Sequence, residues 1–184
     1  DALDLAGYNY KEHLYEEDHR RFPKLPLLGS ENGHDYAAWK AVRDNDYISG
    51  QFLWTGIDYL GEAQGWPVRG SKAGLLTCAG DKKAEFYKRC SFWKKEPVLH
   101  LSTRPGTLEE YKSRRRWIPF SESWNYEEGE PVIVRCASNA QEVVLYQDEK
   151  EIGRQKGCSA EGTFDFDAVF AAGTLRAEAY DENG

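Results

Sequence analysis

Hydrophobic positions in the first half of the chain alternate between short apolar runs and segments with helical spacing. The runs Leu3 to Tyr10, Leu25 to Ser30 and Tyr47 to Thr55 predict strands. Between them, Lys11 to Phe22 and His34 to Arg43 place their apolar residues at helical spacing. Strands that alternate with helices in this way predict a parallel sheet covered by helices.

A glycine-rich loop is predicted from Gly56 to Gly80, after the third strand. Lys83 to Trp93 then has its aromatic residues on one face, which predicts a helix, and Asp81 is expected to cap it. The order β-α-β-α-β-loop-α is that of an α/β region. Because ligands bind at the carboxyl ends of parallel strands, the long loop lies where a site is expected.

The second half of the chain has a different pattern. A polar linker is predicted from residue 99 to about 120, and short alternating runs separated by turn residues follow from Trp124 onward. The predicted strands are Pro131 to Cys136, Glu142 to Tyr146, Thr163 to Phe166 and Thr174 to Tyr180. This spacing predicts a small antiparallel β-sandwich. The predicted domains are therefore residues 1–98 and 99–184.

Composition narrows the classes of function. The chain has 184 residues, of which 40% are hydrophobic and 14% aromatic, so it can build a core. Its net charge of −7 argues against a nucleic-acid partner. No apolar run approaches the 18 or so residues of a membrane span, so no membrane partner is expected. The start lacks the basic and apolar regions of a signal peptide, and the chain has no Met, which suggests a fragment.

The four cysteines and a short run of arginines say less about function. None of the four cysteines forms a CxxC pair, so no metal site is expected. Cys136 lies in an apolar strand pattern that favours a buried thiol, and a disulfide with Cys158 stays open. The run Arg114 to Arg116 is compatible with phosphate binding, but no phosphate-binding loop accompanies it, which favours a solvated linker face.

Two strand ends carry residues suited to chemistry on a sugar. Glu31 follows the second apolar run and Trp54 ends the third. A carboxylate and an aromatic platform at the carboxyl ends of strands are what a sugar-cleaving barrel requires. Both residues have a plainer interpretation, because Glu31 can cap the helix that begins near His34 and a large aromatic such as Trp54 is commonly core packing.

The segments around these residues resemble glycoside hydrolase family 2, closest to its bacterial β-galactosidase-like members. The resemblance rests on GSENGHD at Gly29–Asp35 and SGQFLWTGIDYLGE at Ser49–Glu62. Shorter matches are Gly7–Tyr10, Gly65–Pro67 and Gly74–Leu76. The resemblance implies a fold that is α/β followed by all-β. Residues 1–98 would form the last three β/α units of a (β/α)8 TIM barrel, and an Ig-like β-sandwich module would follow.

The resemblance also implies roles for individual residues. It makes the protein a retaining β-glycosidase, most similar to β-galactosidases, with Glu31 as the nucleophile. Tyr10 matches a tyrosine that hydrogen-bonds the nucleophile, and Trp54 matches a tryptophan that lines the sugar subsite. The glutamate that acts as acid/base has no counterpart, because the chain begins near the sixth barrel strand. The isolated chain is therefore expected to have no turnover.

Further substrate-binding candidates have open alternatives. His34 either contacts sugar or is an exposed residue at a helix start, and Trp66 is a candidate platform at the rim of the site. Asp58 and Glu62 either bind sugar hydroxyls or serve in loop capping and salt bridges.

The implied partners are an oligosaccharide or glycoside substrate and the rest of the barrel, with a homo-oligomer left open. No cofactor is implied, and a periplasmic or extracellular location in a bacterium is favoured. Two rival classes remain: a carbohydrate-binding or interaction module that is not catalytic, and an α+β protein unrelated to glycosidases.

Overall fold

The computed structural model describes residues 3–63, 65–113 and 119–183. Backbone contacts divide the chain into two compact units, Asp1–Asp81 and Lys82–Gly184. The first unit is α/β and the second consists mostly of strands. This agrees with the predicted order of an α/β region followed by a β region.

The first unit contains a three-stranded parallel sheet in the order β1-β2-β3. Its elements are β1 (Ala6–Asn9), a 3-10 turn (Glu12–Leu14), α1 (Tyr15–Arg21), β2 (Leu27–Asn32), α2 (Tyr36–Arg43), β3 (Ile48–Leu53), β4 (Tyr59–Leu60) and β5 (Gly70–Ser71). The alternation predicted for this half is therefore present. The predicted glycine-rich loop contains the short antiparallel pair β4 and β5.

Buried side chains from a helix and two strands form the core of this unit. Tyr15 of α1, Leu27 of β2 and Ile48 of β3 make one cluster. The helix α2 begins where the Asp35 carboxylate accepts a hydrogen bond from the Ala38 backbone N–H at 2.8 Å. Asp35 caps this helix, so the capping role considered for Glu31 is wrong.

The second unit contains two antiparallel sheets of three strands, in the orders β10-β7-β6 and β11-β8-β9. Its elements are α3 (Ala84–Trp93), β6 (Leu99–Pro105), α4 (Leu108–Ser113), β7 (Pro131–Ser138), β8 (Glu142–Gln147), β9 (Lys150–Lys156), β10 (Phe164–Val169) and β11 (Leu175–Tyr180). Both sheets contribute to one hydrophobic cluster, with Val134 and Phe164 from the first sheet and Val143 and Leu145 from the second.

Two sequence predictions are wrong in this unit. The residues predicted as a polar linker form β6 and α4, since β6 pairs with β7 from Leu99 to Pro105. The expected cap of α3 is also wrong, because the helix begins after Lys83 without a side-chain cap, and Asp81 instead accepts a bond from the Thr77 hydroxyl. The basic run 114–116 lies outside the described residues.

The helix α3 packs against β6 and β7. The compact units consequently separate between Asp81 and Lys82. The boundary predicted from the sequence, near residue 98, divides the chain into domains rather than into these compact units, and it stays a prediction.

The outer face of β7 buries an ion pair. Arg135 donates from Nε to Oδ1 of Asp165 at 2.8 Å and from Nη2 to Oδ2 at 2.7 Å. Arg135 is only 2% exposed and Asp165 8%. The guanidinium also lies 4.1 Å from the ring centre of Phe120. Burial alone lowers the pKa of Arg135, but the hydrogen bonds and charge of Asp165 outweigh burial and raise it.

The four cysteines are free thiols, so the disulfide left open for Cys136 and Cys158 is not formed. Cys136 is buried, as its apolar strand pattern predicted, and burial raises the pKa of its thiol to about 12. Cys158 is exposed. Within the described ranges, no helix is long and apolar enough to cross a membrane. The same residues contain no group of three His, Cys, Asp or Glu side chains arranged to hold a metal.

Candidate active site

Glu31 is the next-to-last residue of β2, the middle strand of the parallel sheet. The carbonyl of Glu31 accepts a hydrogen bond from the Tyr10 N–H at 2.9 Å. The carbonyl of Asn32 accepts one from the Trp54 N–H at 2.8 Å. These bonds tie the ends of three neighbouring strands together and bring the predicted residues Tyr10, Glu31 and Trp54 to one edge of the sheet.

The buried side chain of Asn32 anchors the end of β2 from below. Its amide donates to the Glu12 carboxylate and to the Tyr15 hydroxyl, the latter at 3.4 Å. The backbone makes room for this amide at Gly29, where a Cβ atom would lie 2.0 Å from Asn32 Oδ1. Glycine is therefore required at that position by close packing.

Tyr10 is held beside Glu31 by its backbone. Its φ angle of 52° lies in the left-handed region, which residues other than glycine rarely adopt. Burial, followed by the neighbouring Glu31 carboxylate, raises the pKa of the Tyr10 hydroxyl to about 12. The hydroxyl therefore stays protonated at neutral pH and is available as a donor.

Replacing Tyr10 with Phe tests this contact. The variant keeps the ring but removes the hydroxyl beside Glu31. If Glu31 is the nucleophile that the resemblance implies, kcat of the full-length protein on an aryl β-glycoside should fall about 10- to 100-fold. Thermal unfolding of the variant should change little, because the ring stays in place. Tyr36→Phe, which removes a hydroxyl on α2, serves as a control. Unchanged kcat in Tyr10→Phe would contradict a role for this hydroxyl.

Trp54 directly follows β3, and its half-buried indole contacts a tyrosine that the sequence analysis did not single out. The Tyr59 ring meets the indole edge-on, with ring centres 5.5 Å apart. The Tyr59 hydroxyl donates to the carboxylate of Glu62. Tyr59 lies in the IDYLG segment, and its contact with Trp54 depends on tertiary structure, which leaves no signal in the local sequence.

His34 and Asp58 hold the loop that follows β3. A ring nitrogen of His34 lies 2.8 Å from the Ala73 carbonyl oxygen. The carboxylate of Asp58 accepts from the Gly74 N–H at 2.8 Å. For Asp58 this is the loop-capping interpretation that the sequence analysis left open, and a direct contact with sugar stays a prediction for both residues.

Trp66 lies further along the same loop. Its indole is 80% exposed, and the guanidinium of Arg69 lies 4.7 Å from its ring centre. One exposed aromatic face beside a cation is compatible with the predicted rim platform. The contact with sugar remains a prediction.

Comparison with known protein families matches residues 129–184 to a domain of unknown function, DUF4982. Among curated proteins, the β-galactosidase BoGH2A of Bacteroides ovatus is 38% identical over 117 residues, which are 62% of this chain and 12% of that protein. A protein of Formosa agariphila, named as a candidate β-glucuronidase, is 30% identical over 122 residues, 64% of this chain and 10% of that protein. The chain thus spans about a tenth of the length of these relatives.

Solved structures match almost the whole chain. A glycosyl hydrolase family 2 member from Bacteroides cellulosilyticus superposes with a TM-score of 0.85 at 29% identity, covering 99% of this chain and 26% of that one. A β-glycosidase from Bacteroides vulgatus gives a TM-score of 0.76 at 16% identity, covering 99% of this chain and 30% of that one, and shows likeness of fold.

These matches show that the chain is related to glycoside hydrolases. Its homologues belong to glycoside hydrolase family 2, so the resemblance predicted from the GSENGHD and SGQFLWTGIDYLGE segments is confirmed.

Proposed function

We propose that this chain carries the nucleophile of a retaining β-glycosidase that acts on terminal β-linked sugars, most simply β-galactosides. The observation that supports the proposal best is the position of Glu31 at the end of the middle strand, where backbone hydrogen bonds bring Tyr10 and Trp54 to the same edge of the sheet. The carboxylate and the adjacent indole, which offers an apolar face to a sugar ring, are thus presented together.

In the proposed reaction, a Glu31 carboxylate oxygen attacks the anomeric carbon while the bond from that carbon to the leaving-group oxygen breaks. A second carboxyl group protonates the leaving oxygen, and a covalent glycosyl ester of Glu31 results. The same group then removes a proton from water, which attacks the anomeric carbon and releases Glu31. The configuration at the anomeric carbon is retained because it is inverted twice.

The acid/base is proposed to lie outside residues 1–184, after an earlier strand of the same barrel. The two carboxyl groups of a retaining enzyme lie about 5–5.5 Å apart. We accordingly infer that residues 1–98 form the last three β/α units of a (β/α)8 barrel and that residues 99–184 form an Ig-like sandwich. The likeness in fold to family 2 structures supports this division, and residues 1–184 alone are proposed to lack turnover.

Tyr10 and Trp54 have distinct proposed roles. Tyr10 is proposed to donate a hydrogen bond to Glu31 and so to orient its carboxylate. Trp54 packs against the C–H face of the sugar, leaving the ring hydroxyls to polar side chains. Its edge contact with Tyr59 supports this role, since it holds the indole while leaving it only half-buried.

The sugar itself has two candidates. The relative at 38% identity is named a β-galactosidase, which supports β-galactosides. The relative at 30% identity is named for β-glucuronides, so this class is the second candidate.

A covalent trap on the full-length protein tests the proposed nucleophile. A 2-deoxy-2-fluoro-β-galactosyl donor should inactivate the enzyme and label one peptide, in which fragmentation mass spectrometry places the sugar on Glu31. Glu31→Gln should take no label. Labelling of another carboxylate contradicts the assignment. If the protein instead binds glycans without any turnover or labelling, the module that is not catalytic is the better description.

A further inference from the structure

Tyr59 links the proposed sugar platform to a second carboxylate. Its ring contacts Trp54 edge-on at 5.5 Å, and its hydroxyl donates to Glu62. Ser71 pairs with Tyr59 across β4 and β5. The Tyr59 side chain is therefore held by Trp54 and Glu62, and its backbone by the neighbouring strand.

Glu62 is presented by an unusual backbone. Its φ angle is 48°, in the left-handed region, and it follows Gly61 at 104°. A residue with a side chain persists in that region when its surroundings hold it there, and such positions concentrate at functional sites. The side chain is exposed, and the Tyr59 hydroxyl occupies one carboxylate oxygen. The other oxygen has no partner among the described residues and is open to a ligand.

Glu62 and Glu31 both contribute to the raised pKa of Tyr59. The hydrogen bond to Glu62 raises the pKa of Tyr59 most, and the negative charge of Glu31 adds to the rise. Tyr59 in turn contributes to the raised pKa of Tyr10. The Tyr59 hydroxyl therefore stays protonated at neutral pH and donates to Glu62, while its ring contacts Trp54.

We propose that Glu62, held by Tyr59, determines which sugar the site accepts by taking a hydrogen bond from a hydroxyl of a neutral β-hexoside and repelling the carboxylate of a β-hexuronide. The inference rests on the proposed glycosidase function and adds a residue that selects the substrate.

Both effects follow from the negative charge of Glu62. A hydroxyl that donates to a carboxylate makes a bond about twice as strong as one between neutral groups. Two like charges roughly 6 Å apart near a protein surface repel each other enough to change an equilibrium about three- to a hundredfold. Glu62 thus favours the neutral sugar in two ways, and both are removed when its charge is removed.

The test compares two substrates on the full-length protein: 4-nitrophenyl β-D-galactoside and 4-nitrophenyl β-D-glucuronide. In Glu62→Gln, kcat/KM for the galactoside should fall about tenfold, while that for the glucuronide should hold or rise. The ratio of the two should therefore move at least tenfold toward the glucuronide. Tyr59→Phe frees the carboxylate without removing its charge and should move the ratio in the same direction by less.

The matched control is Glu17→Gln, which removes the same charge from the exposed surface of α1 and should leave the ratio unchanged. A ratio that stays within twofold in Glu62→Gln overturns the inference, as does an equal fall for both substrates, which would indicate a structural role only. Turnover of neither glycoside by the unaltered protein contradicts the proposed function and this inference together. If the unaltered protein turns over a glycoside but the ratio of the two kcat/KM values does not change in Glu62→Gln, only the inference about Glu62 is overturned.

Discussion

Under the proposed mechanism, replacing Glu31 with Gln should reduce kcat of the full-length protein on an aryl β-galactoside by about 10⁴-fold or more. Gln has almost the same size but lacks the negative charge that attacks the anomeric carbon. The backbone of residue 31 is held by the hydrogen bond from the Tyr10 N–H, so the strand should fold as before. The measurement is steady-state kinetics, with circular dichroism to confirm the fold.

A second variant separates loss of the nucleophile from loss of structure. Glu31→Ala leaves space for a small anion, so added azide should restore turnover and give the α-glycosyl azide, the inverted product expected when azide replaces the carboxylate. Glu16→Gln on α1 removes an exposed carboxylate and should keep normal kinetics. Retention of more than a tenth of the activity in Glu31→Gln would rule out its role as nucleophile.

The second large effect concerns stability rather than chemistry. Asp165→Asn should lower the free energy of unfolding of the second unit by about 3–5 kcal/mol. The substitution leaves the guanidinium of Arg135 buried without its counter-charge, although the shape of the site is kept. Urea unfolding followed by fluorescence would measure the change.

A double variant checks the cause. Arg135→Met combined with Asp165→Leu removes both charges, so it should cost less than Asp165→Asn alone, even though it alters more atoms. If the double variant proves the less stable of the two, lost packing and not an unpaired charge explains the effect. A cost below about 1 kcal/mol for Asp165→Asn would show that the ion pair contributes little.

The alternation of the first unit was predictable because its strands are apolar and its helices are amphipathic. In the second unit, β6 was missed because its outer face carries His100, Ser102 and Arg104, which suggest a solvated linker. These side chains are in fact covered: the Tyr87 ring of α3 stacks on His100 at 3.6 Å, and Arg104 lies 4.8 Å from the ring centre of Tyr111. Burial of polar residues by distant parts of the chain leaves no hydrophobic pattern.

The strand β9 was not among the strands predicted from the sequence, because a glycine in a run of charged and polar residues is typical of a turn. In the fold, Gly153 lies within the strand, and a Cβ atom there would sit 2.5 Å from the ring of Phe166. The glycine serves close packing across two sheets, a requirement that depends on a residue in another strand.

The candidate site was predictable in part. Local sequence indicated Tyr10, Glu31 and Trp54, and the sheet brings their backbones together. Tyr59 was missed because its importance depends on a side-chain contact with Trp54 and a bond to Glu62. Hydrogen bonds between a loop and a strand end are set by tertiary structure, which a motif does not encode.

The position of Glu31 on the middle strand affects how the site would lose its order. Amide hydrogens of β2 are protected on both sides, whereas β1 and β3 are each paired with one neighbour in this sheet. In residues 1–184 taken alone, local opening of β1 would withdraw Tyr10, and opening of β3 would withdraw Trp54, while the backbone of Glu31 stays in place. The backbone amides of β2 are therefore expected to exchange with solvent deuterium more slowly than those of β1 and β3.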